Sequence, residues 1–270
     1  NAYLSRRLEE NDIQVEDAGN IEVPNPETLQ VKNKKLKYID EILNVSEKTA
    51  DKVYKAISDD RIPLVLGGDH SIALGSVTGT SKALQKIGLI WIDAHGDFNT
   101  EETTPSGNIH GMIFAALLGM GDKRLVNVGG FAPKVSPENV VLIGARALDK
   151  EEKVLIKNSG INVFTMHDID RYGMRDIMQK AIELAGNGTK GVHLSFDMDV
   201  LDPMVAPGVG TPVRGGITYR EAALAVEMLA EAKIIRTLEV VEVNPTLDKA
   251  NETAHVAVGL IAAALGEKIL

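Results

Sequence analysis

Along this chain of 270 residues, short runs of almost unbroken apolar character alternate with stretches whose apolar positions recur every three or four residues. The runs are 62–70 (IPLVLGGDH), 87–97 (IGLIWIDAHGD), 139–146 (NVVLIGAR), 161–170 (INVFTMHDID), 191–199 (GVHLSFDMD) and 236–245 (RTLEVVEVNP). They are short, rich in β-branched residues and apolar at successive positions, as strands covered on both faces must be. The periodic stretches predict helices over about 34–60, 71–86, 149–158, 173–186, 218–232 and 250–268. Thr218 with Glu221 three residues on forms a capping-box signature for the fifth of these. Strand–helix alternation of this kind makes a three-layer αβα domain around a mostly parallel central sheet. Glycine-punctuated residues 100–137 read as long surface loops around a short helix. The start is unusual: a helical pattern (AYLSRRLEEN) precedes a predicted strand at 13–20 (IQVEDAGN). Parallel α/β sheets ordinarily begin with a strand, so the expectation is one domain over 1–270 that lacks its first N-terminal strand.

Composition changes this picture only by exclusion. A formal net charge of −9 argues against a nucleic-acid or acidic-membrane binder. There is no cysteine, hence no disulfide, thiolate metal site or cysteine nucleophile, and a reducing cytoplasm is the expected location. No apolar run is long enough for a membrane span. The glycine groups GMGDKRLVNVGG and GVGTPVRGG fit no phosphate-loop spacing and read as turns.

The chemistry collects where strands end. One run closes on Gly67-Gly68-Asp69-His70-Ser71 and the next on Asp93-Ala94-His95-Gly96-Asp97. A third closes on Asp197-Met198-Asp199, and the last on Glu239, Glu242 and Asn244. Ligands of open parallel sheets bind beyond the carboxyl ends of the strands, so four strands deliver carboxylates and imidazoles to one edge. In extended chain, residues i, i+2 and i+4 share a face, which would let Asp93, His95 and Asp97 point together, and likewise Asp197 and Asp199. Crowded carboxylates repel one another unless cations stand between them. His70, Asp93, His95, Asp97, Asp197 and Asp199 suit two divalent first-row ions with bridging carboxylates. His167 reads as a surface or helix-start residue, His193 as a packed core histidine and His255 as a helix residue.

GGDHS, DAHGD, SGNIHGM, SFDMDVLDP and EVNP, in this order, resemble the ureohydrolase family and within it the bacterial arginases. The resemblance runs from RRLEEN to LGEKIL, and SGNIHGM at 106–112 leans toward arginases rather than agmatinases. It implies a binuclear manganese hydrolase, with cobalt or nickel as substitutes, that converts L-arginine to L-ornithine and urea. By that resemblance one ion is held by His70, Asp93, Asp97 and Asp197 and the other by His95, Asp93, Asp197 and Asp199. A hydroxide bridging them attacks the guanidinium carbon. Glu242 pairs with the guanidinium, and His110 is the proton shuttle and general acid. Asn99, Ser106 and Asn108 hold the α-carboxylate, Asp149 and Glu152 the α-amino group, and Thr211 lines the pocket. Relatives are homo-oligomers, trimers or hexamers. Val200 and Ile113 depart from the family pattern at positions commonly glycine and proline.

Other readings stay open on the residues alone. An agmatinase or another guanidino-compound hydrolase would share the ion ligands and differ at the head-group residues. A binuclear metallophosphatase would share ligand types, but no Arg or Lys cluster adjoins them and Glu242 would repel a phosphate. A regulatory relative without activity would be expected to have lost ligands, and the set is complete.

Overall fold

The computed structural model describes residues 2–25, 28–268 and 270. Each of the six apolar runs forms a strand: β1 Leu64–Leu66, β2 Gly88–Ile92, β3 Val140–Ala145, β4 Asn162–Thr165, β5 Val192–Asp197 and β6 Ile235–Val241. Among the described residues they make one sheet in the order β1-β6-β5-β2-β3-β4, with every neighbouring pair parallel. The helices are α1 Ala2–Glu9, α2 Ile39–Ser58, α3 Ala73–Leu84, α4 Ile113–Leu117, α5 Lys123–Val126, α6 Lys150–Ser159, α7 Met166–Gly186, α8 Tyr219–Ala232 and α9 Glu252–Ala264.

Side-chain alternation divides the core in two. Ile90, Ile92, Val141, Ile143, Val192, Leu194, Phe196, Leu238 and Val240 face α7, α8 and α9. Leu89, Trp91, Val140 and Leu142 face the opposite layer, built from α2, α3 and α4. The expected three-layer αβα arrangement is therefore what forms, because strands buried on both faces need a helical layer on each. The capping box at α8 also forms: the Thr218 N–H and hydroxyl both donate to Glu221, at 2.7 and 2.8 Å.

Strand order places the site. From β2 the chain proceeds to β3 and β4 on one side, while from β5 it proceeds to β6 on the other. β2 and β5 lie side by side with their connections leaving in opposite directions, so the crevice at their carboxyl ends is the topological switch point. The two aspartate-rich segments, 93–97 and 197–199, follow these two strands.

Three expectations fail. Residues 13–20 form no strand. Asp17 accepts the Gly19 N–H at 2.8 Å, a local turn that competes with extended pairing. Residues 167–170 belong to α7, since Thr165 and Asp168 make a capping box that ends β4 three residues after Asn162. Residues 100–137 do hold the expected short helix, α4, but it is not a surface feature: its Ile113, Phe114, Ala115 and Leu117 are fully buried. The glycines there reflect tight turns; Gly107, with φ of 75°, lies so close to the Lys34 carbonyl that a Cβ could not be placed.

Candidate metal centre and substrate cavity

Each ligand candidate is positioned by what its strand does on ending. β2 stops at Ile92, and Asp93 Oδ1 then accepts the His95 N–H at 2.6 Å, curling the chain. Asp97 takes a left-handed φ of 50°, uncommon for a residue with a Cβ. β5 stops at Asp197, whose Oδ1 accepts the Asp199 N–H at 2.8 Å and starts a single 3-10 turn. The carboxylates thus converge through turns closed by their own side chains, and not along one face of extended strand as the i, i+2 spacing suggested.

The result is a cage around two imidazoles. His70 Nδ1 lies 3.0 Å from Asp197 Oδ2, 3.1 Å from Asp93 Oδ2 and 3.2 Å from Asp97 Oδ2. His95 Nδ1 lies 3.0 Å from Asp199 Oδ2 and 3.5 Å from Asp93 Oδ1. Asp93 stands between the two rings, one oxygen toward each. Two groups have donor atoms close enough to share an ion: His70, Asp93 and Asp197, and Asp93, His95 and Asp199.

The electrostatics of the cage call for positive charge. Burial, then the neighbouring Asp199 and Asp93, push the Asp197 carboxyl well above the usual carboxylate range. Burial and Asp93 also raise Asp97. Burial opposes charge on His70, yet Asp197, Asp93 and Asp97 together raise its pKa well above the ordinary imidazole value. His70 Nδ1 is a buried ring nitrogen with no hydrogen bond of proper geometry. A nitrogen lone pair and three carboxylate oxygens meeting at one point fit a hard-to-borderline divalent cation.

Groups behind the cage hold its parts in place. His70 Nε2 lies 2.7 Å from Ser195 Oγ. The His70 ring stacks on Trp91, centroids 3.9 Å apart, and the Trp91 indole N–H donates to Asp93 Oδ2 at 2.9 Å. Arg146 donates to the carbonyls of Asp199, Val200 and Val213 at 2.7 to 3.0 Å, tying the 199–213 loop to the end of β3. Sequence reasoning missed Ser195, Trp91 and Arg146. Trp91 and Ser195 each sit two residues before an aspartate on a strand, which was the available signal.

In front of the cage lies a cavity of about 330 Å³. His95, Asp97, Asn99, Ser106, His110, Asp149, Glu152, Asp197, Asp199, Thr211 and Glu242 line it. Its walls are mutually braced. The Asn99 amide donates to Asp149 Oδ2 at 3.0 Å, and Thr211 Oγ1 donates to Asp199 Oδ2 at 2.9 Å. Glu152 accepts the backbone N–H groups of Phe98 and Asp149, both at 2.9 Å, and burial lifts its carboxyl to about 7. Glu242 has φ of 66°. Its Oε1 accepts the His70 backbone N–H at 2.9 Å, and burial raises its carboxyl to about 7. His110 is raised to about 9, chiefly by Asp69, whose Oδ2 lies 3.9 Å from His110 Nδ1. Asp69 is thus a further site residue, next to His70 in sequence.

Asn108 alone of the predicted pocket residues is off this wall; its Oδ1 accepts from Lys37 Nζ at 3.0 Å. Val200 and Ile113 are fully buried in the core and line no part of the cavity. His167 and His255 are exposed on α7 and α9, while His193 is fully buried.

The sequence profile of the arginase family matches residues 2–266. The arginase of Brevibacillus brevis is 53% identical over 269 residues, covering all of this chain and 90% of that one. The chain belongs to the arginase family. The solved arginase of Bacillus caldovelox superimposes with a TM-score of 0.96 at 51% identity, over all of this chain and 90% of that chain. The arginase of Entamoeba histolytica, solved in complex with L-ornithine, has a TM-score of 0.83 at 31% identity, over 92% of this chain and 83% of that chain. As an arginase-family hydrolase, the chain has its candidate ligands in the crevice that an open parallel sheet reserves for its substrate. Among the described residues, no helix is long and apolar enough to cross a membrane.

Proposed function

We propose that this chain hydrolyses L-arginine to L-ornithine and urea, using two divalent cations, manganese first among them. The observation that carries the reading is Asp93 set between two caged imidazoles, behind a cavity that His95, Asp97, Glu242 and His110 line. His70, Asp93, Asp97 and Asp197 would hold the inner ion, and His95, Asp199, Asp93 and Asp197 the outer one. Bound there, the cations supply Lewis acidity and make water a nucleophile at neutral pH.

The chain's own groups do the rest. Glu242 has one oxygen committed to the His70 N–H, which fixes its plane; a guanidinium in the cavity favours its charged form and accepts it as a partner. The bond broken joins the guanidinium carbon to the side-chain nitrogen of the substrate. The water oxygen ends on urea, and the departing amine needs a proton. His110, kept protonated by Asp69, supplies it from the cavity wall. Asn99, Ser106, Asp149 and Thr211 present the polar groups for an α-amino acid head, with Glu152 bracing Asp149. Asn108, tied to Lys37, would support Ser106, whose Oγ accepts its N–H at 3.1 Å.

The test is urea release from L-arginine and agmatine in parallel, with the metal-stripped protein reloaded with Mn²⁺, Co²⁺ or Ni²⁺. Metal-dependent urea from arginine alone is expected. Urea from agmatine instead would keep the cage and discard the head-group assignments, and urea without metal would overturn the reading.

A further inference from the structure

One face of β5 and β6 carries polar side chains that the reaction does not use. His193 and Ser195 on β5 pair in register with Thr237 and Glu239 on β6. Ser76 and Thr80, one turn apart on α3, pack over them. All six are fully buried, whereas the other face of the same strands is apolar. A carboxylate and an imidazole in the core are costly unless their hydrogen bonds are met.

Counting protons shows how most of them are met, His193 Nε2 and Glu239 Oε1 excepted. Thr80 has one hydroxyl proton, and it goes to the Ser76 carbonyl at 2.8 Å. Its oxygen therefore accepts from His193 Nδ1, at 3.1 Å, and from Thr237, at 2.9 Å. With a proton on Nδ1, His193 turns Nε2 toward Glu239 Oε1, 3.4 Å away. Neither of these two atoms has a hydrogen bond of proper geometry, so His193 braces the carboxylate by close approach rather than by a bond. Ser76 donates to the other Glu239 oxygen, and Ser195 is the in-register neighbour of Glu239 across the two strands, on the same buried face. A Ser195 whose proton points to Glu239 can only accept from His70 Nε2 at 2.7 Å. That places the His70 proton on Nε2 and leaves the Nδ1 lone pair facing the carboxylate cage.

We propose that Glu239, braced by His193, is a positioning residue that orients Ser195 and so fixes the ring and tautomer of His70 toward the inner cation. The inference rests on the metal-binding reading above. Groups behind a ligating imidazole commonly set its tautomer, and their loss costs about 10- to 100-fold in metal affinity.

The experiment is Mn²⁺ retained per chain after gel filtration of the loaded protein, with Mn²⁺ affinities by titration and folding followed by circular dichroism and Tm. The parent is expected to keep two ions. Glu239→Gln is expected to keep its fold and the outer ion, and to bind the inner ion about 10- to 100-fold more weakly. Ser76→Ala, which removes one donor from the carboxylate, shifts the same ion in the same direction by a smaller factor. Thr237→Val, remote from the Ser195–His70 contact, lowers Tm and leaves both ions in place. Selective loss of one ion separates positioning from a general loss of structure, which would release both. A folded Glu239→Gln protein that binds both ions like the parent overturns the proposal alone. If that variant does not fold, Ser76→Ala with parental affinity for both ions overturns it. A parent that retains no Mn²⁺ overturns the metal reading and this proposal with it.

Discussion

The two halves of the carboxylate cage are built differently. The inner half, around His70, is made by the sheet and its core: the ring is 1% exposed, stacks on Trp91 and rests on Ser195 of β5. The outer half, around His95, is made by loops: the ring is 26% exposed, and its partner Asp199 is held by Thr211 and by the Arg146 clamp on the 199–213 loop. Core packing fixes geometry cheaply because neighbours are already ordered, whereas loop positions depend on a few polar contacts. An inner ion should therefore be the more firmly held, and the outer half is where the substrate cavity opens.

Asp197 tests whether the halves are independent. Its Oδ2 faces His70, and its Oδ1 caps the turn that carries Asp199. Asp197→Ala is expected to strip both ions and abolish urea release, as read by elemental analysis and a urea assay. Retained activity with full metal content would show that Asp197 bridges nothing.

His110→Ala comes next. It leaves the cage untouched, so both ions stay, but the departing amine loses its proton source and kcat falls about 10²-fold or more. Unchanged kcat would remove His110 from the reaction. Glu242→Gln keeps shape and removes charge. Loss of one charge-assisted hydrogen-bonding partner, worth about 1.5–3 kcal/mol, lowers kcat/KM for arginine by about 10- to 150-fold at parental metal content. A fall in metal content instead would make Glu242 a prop for His70, through the Oε1 contact with its backbone N–H, rather than a substrate partner.

These effects also measure how much could be read from residues alone. All six strands were legible because a strand buried on both faces leaves a continuous apolar run, and the ligand types were legible because charge at such a run's end is costly without a purpose. Local geometry was not. Asp93, His95 and Asp97 meet because Asp93 closes a turn and Asp97 enters the left-handed region, and nothing in a spacing of two announces either. Turn closure likewise explains 13–20, where Val15 is exposed and Asp17 bends the chain out of extension. The supporting residues were least legible. His193 read as an ordinary core histidine because its partners Thr80, Thr237 and Glu239 come from elements far apart in the chain.

The smallest effect expected is a displacement on the pH axis. Asp69 is exposed, adjoins His70 in sequence and faces the His110 ring across 3.9 Å. Its negative charge favours the imidazolium, and His110 is accordingly held at about 9 instead of the ordinary 6.5. A general acid works in its protonated form, so activity is present below this pKa and is lost as pH rises through it. Asp69→Asn removes the charge and keeps the side chain's size and its contact with the Ser71 N–H. The His110 pKa should then fall toward the ordinary value, and the alkaline limb of kcat/KM should move to lower pH. The plateau at lower pH should stay near the parental rate, because His110 is still protonated there. The solvent screens an exposed partner, so the displacement should shrink as salt is raised from 0.05 to about 0.5 M. A limb that moves to higher pH, or does not move at low salt, would assign the alkaline ionisation to another group and leave Asp69 as a cap for the turn at His70.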